Sequence, residues 1–182
     1  GKKRVFVRDQ RDFYKTVSKD FVKKFTLELK GHKYTPKEFS EFIEENFEYN
    51  TRLGMLADRY TCDPKMMEYL ASKYYGKLTD QKQSYWIKAM KQYPDIKVVK
   101  EEGYLLIDGT IGMDTYHIAI DDYFDKHVKK FKPIQDKNKV IYGYKLNGEE
   151  CSVYEIMKKF QEHMPSGIKR YKGLGELDPD EM

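Results

Sequence analysis

The chain reads as an α+β protein. Apolar residues recur at close to 3.6-residue spacing between Pro36 and Met90, and the spacing switches to two from Ile96 to Ile120. Helix caps and glycine turns mark where most elements begin or reverse. The 182 residues suffice for one ordinary domain or two small ones.

At the N-terminal end, Lys3-Arg4-Val5-Phe6-Val7 alternates weakly and predicts a strand, and Asp9 can cap a short helix through Phe13, Tyr14 and Val17. Phe25 to Leu29 alternates and predicts a half-buried strand, which Lys30-Gly31 turns back into a partner ending near Tyr34. Thr35-Pro36-Lys37-Glu38 places threonine at N-cap, proline at N1 and glutamate at N3. The stripe Phe39, Phe42, Ile43, Phe47, Leu53, Leu56, Tyr60 then predicts a single long helix with an acidic outer side. Asp63-Pro64 starts a second helix with Met66, Met67, Leu70 and Tyr74, ended by Gly76. Thr79 is expected to cap a third, with Tyr85, Trp86, Ala89 and Met90, stopped before Pro94. Successive helices with short connections suggest a small bundle whose core holds the methionines and Trp86.

From Ile96, three strands follow: 96–99, 104–107 and 115–120, with Asp108-Gly109 and Gly112 marking the turn region between the last two. Asp122 to Lys132 predicts an amphipathic helix with Tyr123, Phe124, Val128 and Phe131 inside, ended by Pro133. Lys139 to Leu146 predicts a strand, and Asn147-Gly148 is the strongest hairpin signal in the chain. Ser152 caps a helix over Val153–His163 with Tyr154, Ile156, Met157 and Phe160 inward. No internal repeat or low-complexity segment stands out.

Composition narrows the function classes. Mean hydropathy is −0.83, yet 16 Tyr and 10 Phe supply ample surface to bury, which argues against disorder. No apolar run approaches membrane-spanning length and no apolar leader follows the basic N-terminus, so a cytoplasmic location is expected. Cys62 and Cys151 lie far apart without paired spacing and read as free thiols. His32, His117, His127 and His163 show no metal-ligand spacing, and no nucleophile elbow, P-loop or H-E-x-x-H occurs, so no complete active site is visible. Charge is uneven. Residues 1–34 hold eleven Lys/Arg against four Asp/Glu, Lys126, Lys129, Lys130, Lys132, Lys137 and Lys139 form a second basic stretch, and Glu38–Glu48 is acidic. Such segregation is compatible with a nucleic-acid partner.

The most specific stretch lies near the C-terminus: Ile168-Lys169-Arg170-Tyr171-Lys172-Gly173-Leu174-Gly175-Glu176-Leu177-Asp178-Pro179. It reads as a basic strand, a glycine turn and a helix start, with Asp178 at N-cap and Pro179 at N1. Lys169, Arg170 and Lys172 can meet phosphates. Tyr171 can pack inward or face a ligand, and Gly173 and Gly175 permit a tight turn or close backbone approach.

This string resembles the Arg-Tyr-Lys-Gly-Leu-Gly-Glu motif that ends the TOPRIM domain in the B subunits of type IIA DNA topoisomerases, the bacterial gyrase B and topoisomerase IV B proteins. The match runs nearly residue for residue from Ile168 to Pro179 but covers less than a tenth of the chain. Gly1-Lys2-Lys3 resembles the earlier basic landmark of that domain, and the length between the two resembles the insert-bearing layout of many Gram-negative gyrase B subunits. The resemblance implies TOPRIM remnants at 1–17 and 151–182 around an insert domain at 18–150. It implies that Lys169, Arg170, Tyr171, Lys172, Gly173 and Gly175 lie at the DNA-facing TOPRIM surface. The TOPRIM acidic motifs that hold Mg²⁺ and the ATPase domain are absent, so Mg²⁺ and ATP are expected to serve the full-length enzyme and not this fragment, which should have no activity alone. Implied partners are double-stranded DNA and the gyrase A subunit in an A2B2 assembly, with no membrane. Two further readings stay open: a stand-alone nucleic-acid-binding module resting on the basic arm and Lys126–Lys139, and a protein-interaction module resting on the acidic helix.

Overall fold

A computed structural model describes residues 15–131 and 140–164. Helices and two small antiparallel sheets make the fold α+β. The chain divides into two compact units: residues through Thr51 together with those from Ile141 onward, and Arg52–Val140. The N-terminal strand expected at 3–7 lies outside the described residues.

In the first unit, residues 15–24 are helical (α1), followed by β1 (Leu27–Leu29), β2 (His32–Lys33) and α2 (Pro36–Asn46). Later chain adds β6 (Tyr144–Leu146), β7 (Glu149–Cys151) and α7 (Val153–Glu162). The sheet order is β2-β1-β6-β7, so β1 pairs Glu28 with Lys145 across a long stretch of intervening chain. Asn147 and Gly148 both take positive φ (50° and 83°), the two-residue hairpin conformation their sequence demands. The core is aromatic. Phe21 of α1 stands edge-on to Phe39 of α2 at 5.6 Å and to Phe160 of α7 at 5.3 Å between centroids. Both helix starts close as expected: Thr35 and Ser152 each accept from the amide three residues on, while Glu38 and Glu155 accept from the cap amides.

The second unit takes in most of α3 (Tyr49–Arg59), then α4 (Pro64–Lys73), a 3₁₀ turn (Leu78–Asp80), α5 (Gln83–Ala89), β3 (Ile96–Glu101), β4 (Tyr104–Ile111), β5 (Asp114–Ile120) and α6 (Asp122–Val128). The three strands form a meander in chain order. Its core gathers Met67, Leu70, Trp86, Ile107, Ile118, Ile120, Phe124 and Val128, all fully buried.

Several expectations need correction. The long helix is broken: Phe47 and Glu48 form a turn between α2 and α3. Asn46 is buried and its side-chain amide donates to the Phe42 carbonyl at 2.9 Å, a local bond that competes with helix propagation. Thr79 caps no α-helix. It sits inside the 3₁₀ turn, where Asp80 accepts from the Lys77 amide at 2.8 Å, and α5 starts four residues later. Asp108 and Gly109 lie within β4 rather than in a turn. Gly109 (φ 144°) is required there, because a Cβ would come within 2.0 Å of the Asp95 carbonyl oxygen. The strand expected from Lys139 is confined to Tyr144–Leu146 among the described residues. Tyr123, expected inside, is 39% exposed.

Candidate nucleic-acid interface

The six residues expected to face DNA, Lys169, Arg170, Tyr171, Lys172, Gly173 and Gly175, lie outside the described residues, as do Lys2, Lys3, Arg4, Arg8 and Arg11 of the basic arm. The rest of the arm is described. On α1, Phe21 and Val22 turn inward, so Lys15, Lys19 and Lys23 fall on one exposed line at four-residue intervals. Each step covers about 6 Å along the helix axis. Lys24, Lys30 and Lys33 are also exposed. Asp20 is the exposed acid on the same helix.

Lys126, Lys129 and Lys130 belong to α6 and the residues that follow it, while Lys132, Lys137 and Lys139 lie outside the described residues. Lys129 is engaged: its Nζ is 2.8 Å from Asp125. Asp125 also accepts from the Tyr74 hydroxyl. Partial burial works against that carboxylate's charge, but the hydrogen bonds from Lys129 and Tyr74 outweigh it and hold Asp125 below its usual range. Tyr123 faces solvent beside this stretch. The Arg59 guanidinium lies 4.7 Å from its ring centroid, and the His127 ring stacks against it at 4.1 Å with a 34° tilt. Burial, then the charges of Lys130 and Lys126, hold His127 below the ordinary imidazole value.

Beneath this surface runs a tyrosine–aspartate framework. Asp63 caps α4 and also accepts from the Tyr116 hydroxyl at 2.7 Å. Asp121 caps α6 and accepts from the Tyr60 hydroxyl at 2.6 Å. Burial, followed by hydrogen bonding to an aspartate, drives the Tyr60, Tyr74 and Tyr116 phenols well above their ordinary value. They stay protonated and donate to the aspartates.

Cys62 and Cys151 are free thiols. Burial and the neighbouring Asp63 and Asp58 push the Cys62 thiol up to about 12, which removes its nucleophilic form at neutral pH. The histidines have separate occupations. His32 lies 3.0 Å from Glu38, His117 lies 3.1 Å from Asp108, and His163 stands edge-on to Phe25 at 4.7 Å. Among the described residues, no three His, Cys, Asp or Glu side chains converge to hold a metal ion, and no helix is long and apolar enough to cross a membrane.

The basic stretches are legible in the sequence, whereas no motif distinguishes Arg59 from its helical neighbours. Its adjacency to Tyr123 arises only when α3 and α6 pack together. No family model, curated protein or solved structure matches the chain.

Proposed function

We propose that this chain is part of a type IIA DNA topoisomerase B subunit of the gyrase kind, working in the cytoplasm. In this reading its central region braces the enzyme against DNA or the A subunit during ATP-dependent supercoiling. One observation carries the reading: the string Lys169-Arg170-Tyr171-Lys172-Gly173-Leu174-Gly175-Glu176, with its following Asp-Pro helix start. Two features of the described residues are compatible with it. Each unit has its own apolar core, as a mechanical element needs, and exposed lysine lines suit phosphate contacts that position DNA without reading its sequence. In this reading Mg²⁺ and ATP serve the rest of the parent enzyme, together with the cleavage chemistry.

Deleting residues 18–150 from the parent enzyme should reduce supercoiling far more than ATP binding. Unaltered supercoiling would remove the brace. The exposed line Lys15, Lys19, Lys23 favours a second reading, in which the chain binds duplex DNA by itself. That reading requires affinity that falls steeply with salt, whereas a brace working through protein contacts shows weak binding with little salt dependence.

A further inference from the structure

We propose that Arg59, Lys126 and Lys130 form a grip for the phosphodiester backbone of nucleic acid, with Tyr123 as the positioning residue that holds the Arg59 guanidinium. Tyr123, Lys126, His127 and Lys130 fall at i, i+3, i+4 and i+7, which is one face of a helix. The Lys130 amide bonds the His127 carbonyl at 3.1 Å, so the turn carries on past the last residue of α6. Arg59 reaches this face from the end of α3 and lies over the Tyr123 ring. A guanidinium held over a ring keeps N–H donors free at its edge, the set that meets phosphate oxygens in pairs. It has also surrendered rotamer freedom before any ligand arrives. The His127 ring, stacked on Tyr123, buttresses the arrangement.

The platform under the grip is fixed. Phe124 and Val128 are fully buried, and Tyr60 and Tyr74 tie Asp121 and Asp125 on the inner side of α6. The acids on the two elements are Asp58, Asp122 and Asp125. Asp125 is taken by Lys129 and Tyr74, and among the described residues no carboxylate lies within ion-pair distance of Arg59, Lys126 or Lys130. Cations at the C-terminal end of α6 also complement its dipole. That accounts for lysine being favoured there but not for an arginine from another helix stacked on Tyr123. Two exposed lysines along a helix face, with an arginine reaching it from α3, suit a repeating polyanion better than a small nucleotide. The proposal deepens the DNA contact of the topoisomerase reading, yet it rests on the geometry of the second unit alone.

The test is binding of the full chain to a labelled duplex, and to one of its strands, between about 50 and about 200 mM salt. Replacing two phosphate contacts in the double variant Lys126→Ala/Lys130→Ala should lower the slope of log K against log salt by about 1.8 on duplex and about 1.4 on single strand. Tyr123→Leu should weaken binding about threefold, and Tyr123→Phe, which keeps the ring under Arg59, should restore it. The triple variant Lys15→Ala/Lys19→Ala/Lys23→Ala serves as the comparison, and far-UV circular dichroism together with Trp86 fluorescence checks that every variant is folded. An unchanged slope in the double variant overturns the grip. So does equal weakening by Tyr123→Leu and Tyr123→Phe, binding confined to single strands, or no wild-type binding at low salt. Supercoiling by the deletion enzyme decides the topoisomerase reading separately, so either can fail without the other.

Discussion

The two units solve the same local problem, how to start a helix, in different ways. In the first, Thr35 and Ser152 cap α2 and α7, and the box is closed by Glu38 and Glu155 only three residues away. In the second, aspartates cap α4 and α6, and each carboxylate accepts a second bond from a distant tyrosine: Tyr116 for Asp63 and Tyr60 for Asp121. A cap closed within one turn fixes only its own helix. A cap shared with a residue more than fifty positions away also fixes where that helix sits in the core. The first unit obtains its tertiary order instead from aromatic packing and from strand pairing between β1 and β6.

The largest expected effect breaks the aromatic side of this contrast. Phe160→Ala should cost about 3–5 kcal/mol, since the ring is 1% exposed and packs against Phe21. Trp86, the single tryptophan, is fully buried in the second unit and reports on that unit alone. Denaturant melts of the variant should therefore show far-UV circular dichroism falling at lower denaturant than the Trp86 fluorescence transition. Coincident transitions would mean that the two cores unfold as one cooperative block.

The caps give a sharper and smaller contrast. Asp63→Ala removes a cap and also leaves the Tyr116 hydroxyl without its acceptor, so it should cost about 2–3 kcal/mol. Ser152→Ala loses a cap only and should cost about 1 kcal/mol. Equal losses measured by urea denaturation would show that the tyrosine bond adds nothing. Restoring the acceptor with Asp63→Asn should recover part of the difference.

The smallest effect concerns pH. Asp125 has its folded value lowered, so its stabilising contribution is complete above the unfolded carboxylate value of about 3.9 and is lost as pH falls through the lower folded value. Removing its Lys129 partner by Lys129→Met should shrink that acid-dependent part of stability. Thermal melts between about pH 2 and about pH 5 would show a flatter dependence for the variant, and an unchanged pH profile would refute the assignment.

How legible each element was follows the range of the forces that form it. The Thr35 and Ser152 boxes, the Asp63-Pro64 start and the Asn147-Gly148 turn are decided within four residues, and each lies where its residues place it. The continuous apolar stripe from Phe39 to Tyr60 concealed the break at Phe47, because the bond from the Asn46 side chain to the Phe42 carbonyl leaves no trace in hydrophobic spacing. Gly109 carried a turn signal, but its glycine answers the approach of the Asp95 carbonyl immediately before the neighbouring strand β3. Of the basic surfaces, the line on α1 follows from spacing alone, whereas Arg59 joins Tyr123 only through packing.

By itself the sequence determined the α+β class, most helix starts, the tight hairpin, the segregation of charge and the C-terminal string that suggests a topoisomerase. Local propensity, capping and turn chemistry act over a few residues, so they are written in consecutive letters. Only the tertiary structure decided the pairing of β1 with β6, the division into two units, the tyrosines that share the aspartate caps and the arginine laid on Tyr123. Those depend on which buried faces meet after the chain has collapsed, and side chains far apart in sequence carry no periodic mark of the partner they will find.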